Sequence, residues 1–131
     1  MTSNIDILIL EDHHDTADLY QEILSIEGYK VAAEATFQKG LERLEKEPPR
    51  LVILDLDLPD QSGVKFLEIL RKQSPALPVI VVTGSDRATW RVMCEEMGIV
   101  AYFVKPVIDH LIDTVNLHLQ SRKPEGKEDL L

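Results

Sequence analysis

The chain has 131 residues, 44% of them hydrophobic and 28% charged, a globular balance that excludes wholesale disorder and suits one core. With 14 Lys and Arg against 23 Asp and Glu, the formal charge is −9, a sign that repels phosphate backbones and anionic lipid, so neither nucleic acid nor membrane is an expected partner. No apolar run reaches the roughly 18 residues of a bilayer span, Met1 to Asp6 lacks the layout of a signal peptide, and the lone Cys94 excludes an internal disulfide or a cysteine-based zinc cluster. These features together predict a soluble, acidic, cytoplasmic single domain.

Short β-branched runs alternate with segments of helical period. Ile5 to Leu10 reads as a strand, followed by a helix over Asp15 to Glu27 with Tyr20, Ile23 and Leu24 on one face and Gly28 placed to end it. Lys30 to Ala35 is a weaker strand, and Phe37, Gly40, Leu41 and Leu44 mark one face of a second helix that Pro48 and Pro49 stop. Leu51 to Leu56 is an almost continuous apolar strand, which suggests burial on both faces. Beyond Pro59 and Gly63, a third helix over Val64 to Lys72 turns Phe66, Leu67 and Leu70 inward. Pro78 leads into the strand Val79 to Thr83, a fourth helix spans Arg87 to Met97 before Gly98, and Val100 to Val104 is the fifth strand. Pro106 opens a last helix with Ile108, Leu111, Ile112, Val115 and Leu119 on one face. Five strands alternating with five helices call for an α/β fold, a parallel sheet covered on both sides. Residues 121–131 are polar and charged and read as a tail or the start of a linker.

In such a doubly wound sheet the functional crevice lies beyond the carboxyl ends of the strands. Glu11 and Asp12 follow the first strand, and Asp55 and Asp57 end the third. Thr83, Gly84 and Ser85 follow the fourth, while Lys105 and Pro106 follow the fifth. Alternation leaves the direction of Asp57 open. Clustered carboxylates repel unless a cation joins them, and all-oxygen ligands favour Mg²⁺ or another hard divalent ion such as Mn²⁺. An Asp flanked by such an ion and by a Lys can attack phosphorus, and the Thr83 hydroxyl could donate to a phosphoryl oxygen.

Glu11-Asp12, Asp55-x-x-x-Pro59-x-x-x-Gly63, Thr83-Gly84 and Tyr102-x-x-Lys105-Pro106 together resemble, in matching order from about Ile5 to Leu119, the receiver domain of two-component response regulators, chemotaxis-regulator-like. The resemblance implies a flavodoxin-like, three-layer (βα)5 domain over residues 1–120 with a sheet of order 2-1-3-4-5. It implies that Asp55 accepts a phosphoryl group from a phosphohistidine of a sensor histidine kinase or phosphotransfer protein in a Mg²⁺-dependent transfer. Asp12 and Asp55 would hold the ion directly, Asp57 through its backbone carbonyl and Glu11 through a water. Thr83 and Lys105 would contact the phosphoryl group, the Lys105-Pro106 bond would be cis, and Tyr102 would be the switch aromatic, turning inward as Thr83 moves. The response would show on the face of the fourth helix, fifth strand and fifth helix, which would meet an effector or a second copy. Such a domain is a switch, not a turnover enzyme, although it takes part in its own phosphoryl chemistry.

Some positions depart from the family pattern. Glu11 replaces the commoner Asp, Gly84 stands where Ala is usual, and Asp57 is an uncommon acid at a position that tunes dephosphorylation in this family. Its side chain is expected to repel an incoming anion or reorganise water, altering phosphoryl lifetime. Ile99, Val100 and Ala101 precede Tyr102 where many receivers of DNA-binding regulators carry charge, which favours an apolar contact surface over a salt-bridged dimer.

Other features have plainer readings. His13 and His14 invite a transition metal, but the oxygen site is already complete and no third His lies close, so two exposed loop histidines are expected. Trp90, Met93, Cys94 and Met97 form a core stripe with an inert thiol, opposite an exposed stripe of Arg87, Arg91 and Glu95. Two rivals share features with the receiver. Asp55-x-Asp57 resembles the opening of haloacid-dehalogenase-type phosphatases, but Pro59 and the motif's late position count against it; a flavodoxin-like cofactor binder would need a glycine- and hydroxyl-rich loop where Glu11 to Asp15 is acidic. A phosphorylation-independent interaction module is the remaining alternative, although every residue needed for phosphorylation is present.

Overall fold

The computed structural model describes residues 5–84 and 86–119, so Ser85 and the polar tail over 121–131 lie outside the described residues. Five strands and five helices alternate: β1 (Ile7–Leu10), α1 (His14–Ile26), β2 (Val31–Glu34), α2 (Phe37–Lys46), β3 (Leu51–Leu54), α3 (Gly63–Gln73), β4 (Val79–Thr83), α4 (Ala88–Glu96), β5 (Ala101–Val104) and α5 (Asp109–His118). The sheet is parallel throughout, in the order β2-β1-β3-β4-β5.

The near-continuous apolar strands follow from this layering. In β1, Leu8 and Leu10 face one core while Ile7 and Ile9 face the other, and β3 and β4 divide in the same way. One core is closed by α2, α3 and α4 through Phe37, Phe66, Leu67, Leu70 and Cys94. The other is closed by α1 and α5 through Tyr20, Leu24, Leu111 and Val115. Phe37 and Phe66 meet edge to face, with centroids 5.4 Å apart. Gly28 and Gly98 terminate α1 and α4 at φ 102° and 77°, the left-handed conformation that glycine adopts without a Cβ penalty.

Two expectations need correction. The last helix begins at Asp109, not at Pro106. Pro106, Val107 and Ile108 form a loop over α1, lining with Thr16, Leu19 and Tyr20 a small, mostly apolar cavity of about 140 Å³. In α4 only Cys94 is fully buried; Trp90 and Met97 pack at the margin of the core, and Met93 is exposed, because at helical spacing it falls at the flank of the stripe that Trp90, Cys94 and Met97 share. Among the described residues no helix is long and apolar enough to cross a membrane.

Candidate functional site

Each site residue stands at or just beyond the carboxyl end of a strand. Glu11 follows β1, and its main-chain N–H donates to the Glu34 carbonyl at 3.1 Å. Asp55 follows β3, and its N–H donates to the Leu10 carbonyl at 3.0 Å, which extends the sheet bonding by one step. Thr83 ends β4, and the Lys105 N–H donates to its carbonyl at 2.8 Å. These bonds therefore fix the main chain beneath all four groups, and the side chains converge above it.

Lys105 Nζ lies 2.6 Å from Glu11 Oε1 and 2.8 Å from Asp55 Oδ2. The second oxygen of Asp55 accepts from the Asp57 N–H at 2.9 Å, and the second oxygen of Glu11 accepts from the His13 N–H at 3.1 Å. Burial pushes the Glu11 carboxyl above the usual carboxylate range, with the Asp55 charge acting in the same direction against the hydrogen bonds from Lys105 and His13. Burial works to lower Lys105, but hydrogen bonds to Asp55 and Glu11 outweigh it and hold the ammonium above its ordinary range. The Lys105–Pro106 bond is cis.

A cavity of about 290 Å³ opens beside this triad, lined by Asp12, His13, Thr16, Asp55, Asp57, Gly84 and Lys105. Asp57, whose direction the sequence left open, is exposed and lines the cavity. Thr83 is fully buried and its hydroxyl is directed to Asp57 Oδ2, at 3.5 Å, the outer limit of a hydrogen bond. Glu11 is buried behind the cavity and is not part of its wall. Tyr102 is buried against Cys94 and its neighbours in the core. Cys94 itself has its thiol pushed up to about 11 by burial, an inert environment.

The acidic pocket suits a hard divalent cation: Asp12, Asp55 and Asp57 line the cavity, ligand atoms of Glu11, Asp12 and His13 lie within 4.8 Å of one another, and the carboxylates carry more negative charge than Lys105 can offset. The sequence underrates one residue and misses one contact. The exposed His13 turns Nδ1 to within 3.6 Å of Glu11 and 3.7 Å of Asp12, and Arg91 stacks on Tyr102. From the sequence His13 reads only as an exposed loop histidine; exposed it is, yet it belongs with Glu11 and Asp12 to one group of neighbouring ligand atoms.

The fold and this edge define a doubly wound α/β protein with an acidic pocket over its switch point. The family model of the response regulator receiver domain matches residues 7–116. The chain is 34% identical over 128 residues to the transcriptional regulatory protein BasR of Escherichia coli, covering 95% of this chain and 57% of that protein. It is 30% identical over 117 residues to the sporulation initiation phosphotransferase F of Bacillus subtilis, covering 88% of this chain and 94% of that one. A receiver domain protein from Methanospirillum hungatei superposes with a TM-score of 0.79 at 32% identity, covering 87% of this chain and 95% of the other. The chain belongs to the response regulator receiver domain family, a class of phosphoacceptor signalling switches. It spans little more than half of BasR and 43% of the alkaline phosphatase synthesis regulator PhoP of Bacillus subtilis.

Proposed function

We propose that Asp55 is the phosphoacceptor of this switch. The supporting observation is that, among the described residues, Asp55 is the one buried carboxylate that also lines the cavity; Asp6 and Glu11 are buried but do not. A carboxylate oxygen of Asp55 attacks the phosphorus of a phosphohistidine on a sensor histidine kinase or phosphotransfer protein. The P–N bond breaks as the P–O bond forms, and the released imidazole takes its proton from solvent. Lys105, already 2.8 Å from Asp55, offsets the charge gathering on the phosphoryl oxygens. The Thr83 hydroxyl leaves Asp57 to donate to the acyl phosphate, which draws in the remaining exposed fraction of a Tyr102 ring that is already mostly buried. Asp12 and Asp55 would hold Mg²⁺ or Mn²⁺ directly, with the Asp57 carbonyl and, through water, Glu11. When bound, the ion supplies positive charge that the one ammonium cannot.

The receiver unit in this account is residues 1–120, and 121–131 are a tail or the start of a linker to an effector. The face of α4, β5 and α5 carries the output to an effector or to a second copy. Exposed Val92, Met93 and Val104 give that face the apolar character such a contact needs. A cytoplasmic site of action suits a kinase partner of this kind.

The test is intact mass after incubation with acetyl phosphate and Mg²⁺, with Asp55→Asn alongside. The expected result is a labile phosphoryl adduct on the unsubstituted chain alone. No adduct from either acetyl phosphate or a cognate kinase contradicts the proposal and favours a phosphorylation-independent module, while steady release of phosphate over many turnovers favours a phosphatase.

A further inference from the structure

Tyr102 sits on β5, an edge strand paired only with β4, yet it is just 7% exposed. Part of its cover comes from the charged side of α4. The Arg91 guanidinium carbon lies 4.9 Å from the centroid of the Tyr102 ring, with Arg91 Nη1 3.7 Å from Asp86 Oδ1 and Nε 3.5 Å from Glu95 Oε2. One turn earlier Arg87 lies over Trp90 at 4.3 Å, so successive arginines each cover an aromatic ring.

We infer that Arg91 is a positioning residue for Tyr102: its guanidinium, steered by Asp86 and Glu95, holds the ring in the buried position before any phosphoryl group arrives. The planar cation faces the negative face of the ring, and its methylene stem shields the ring from water. The two carboxylates are too exposed to bind tightly. Their role is to orient the guanidinium, Glu95 from the same helix and Asp86 from the segment three residues beyond Thr83. Arg91 thereby links that segment to the ring through one side chain. A contact of this kind at a half-exposed site biases a two-state equilibrium by about two- to fivefold. That is enough to set a resting population, but too little to override a covalent modification. The coupling to Asp55 rests on the function proposed above; the hold on the ring does not.

The experiment is fluorine NMR of the fluorotyrosine-labelled chain. It gives three signals, Tyr20, Tyr29 and Tyr102, with Tyr102 assigned through Tyr102→Phe. Arg91→Met should raise the solvent-exposed fraction of Tyr102 about two- to fivefold while Tyr20 and Tyr29 stay in place, and Arg91→Lys should recover part of the effect. Asp86→Asn with Glu95→Gln keeps the cation but frees it, and should give an intermediate shift even if Arg91→Met folds poorly. A Tyr102 signal unmoved in all these variants overturns the inference. Beryllium fluoride with Mg²⁺, a mimic of the acyl phosphate, separates the two claims. If it moves no signal in the unsubstituted chain while Arg91→Met still does, the fault lies with the function of Asp55 and not with Arg91.

Discussion

Lys105 Nζ stands 2.8 Å from Asp55 Oδ2 and, at 2.6 Å, also holds Glu11 Oε1, so one ammonium joins two buried carboxylates that would otherwise repel each other. Lys105→Met removes the shared cation. We expect a loss of roughly 2–3 kcal/mol at neutral pH, less than a fully buried pair would cost, because 20% of the Lys105 side chain stays exposed. Urea unfolding with and without Mg²⁺ checks this: the divalent ion should recover more stability in the variant than in the unsubstituted chain. Equal stability of the two chains would contradict the account.

Gly63 abuts the main chain that carries Asp55. A Cβ at this position would stand 2.7 Å from Leu56 Cα and closer still to the Asp55 carbonyl oxygen, neither of which is the end of a flexible side chain. This gives the Asp55-to-Gly63 spacing of the motif its physical reason. Gly63→Ala should cost about 1–3 kcal/mol and slow phosphoryl uptake, read as a lower urea midpoint at unchanged slope. A variant as stable and as readily phosphorylated as the parent would show that the loop can yield.

The loop after Asp55 is also tied to α2. Asp60 accepts from the Phe37 and Gln38 N–H groups at 2.8 and 3.0 Å, adding to the Thr36 cap of the same helix. Burial tends to raise its carboxyl, but these N–H donors outweigh it and hold the group below the usual range. For an acid shifted down, the contribution is complete above the unfolded value of 3.8 and disappears as pH falls through the lower folded value. Asp60→Ala should therefore lose about 1 kcal/mol near pH 7, and the two unfolding curves should converge in acid. A difference that persists unchanged at low pH would count against this cap.

Much of this organisation can be read from the sequence, for physical reasons. A strand covered on both faces cannot alternate, so the runs at Ile7, Leu51 and Val79 are legible as interior parallel strands. The residues after them fall at the crevice by topology alone. What escapes is direction and cover. The i, i+4 spacing of Arg87 and Arg91 marks an exposed stripe, but says nothing of the rings beneath it. Met93 has the spacing of a core residue but falls at the flank of the α4 stripe, of which only Cys94 is fully buried. The start of α5 is hidden because Pro106 is equally at home in a loop and in a first helical turn.

Asp57 brings a third carboxylate to the cavity and receives the Thr83 hydroxyl. A unit charge a few ångströms from an incoming phosphate, largely screened by water, opposes it by about 1 kcal/mol. Asp57→Asn should accordingly speed uptake from acetyl phosphate roughly fivefold, and the lifetime of the adduct should change as water near the acyl phosphate is reorganised. Matching uptake and decay curves for the two chains would remove Asp57 from the account.

The most direct test of the central claim is to locate the phosphoryl group. Borohydride reduces an acyl phosphate of aspartate to homoserine, a change that peptide mass spectrometry assigns to one position. After incubation with acetyl phosphate and Mg²⁺, the account predicts homoserine at position 55, absent when either is withheld. Reduction at Asp12 or Asp57 instead, or a phosphoryl group found on His13 or His14, would contradict it.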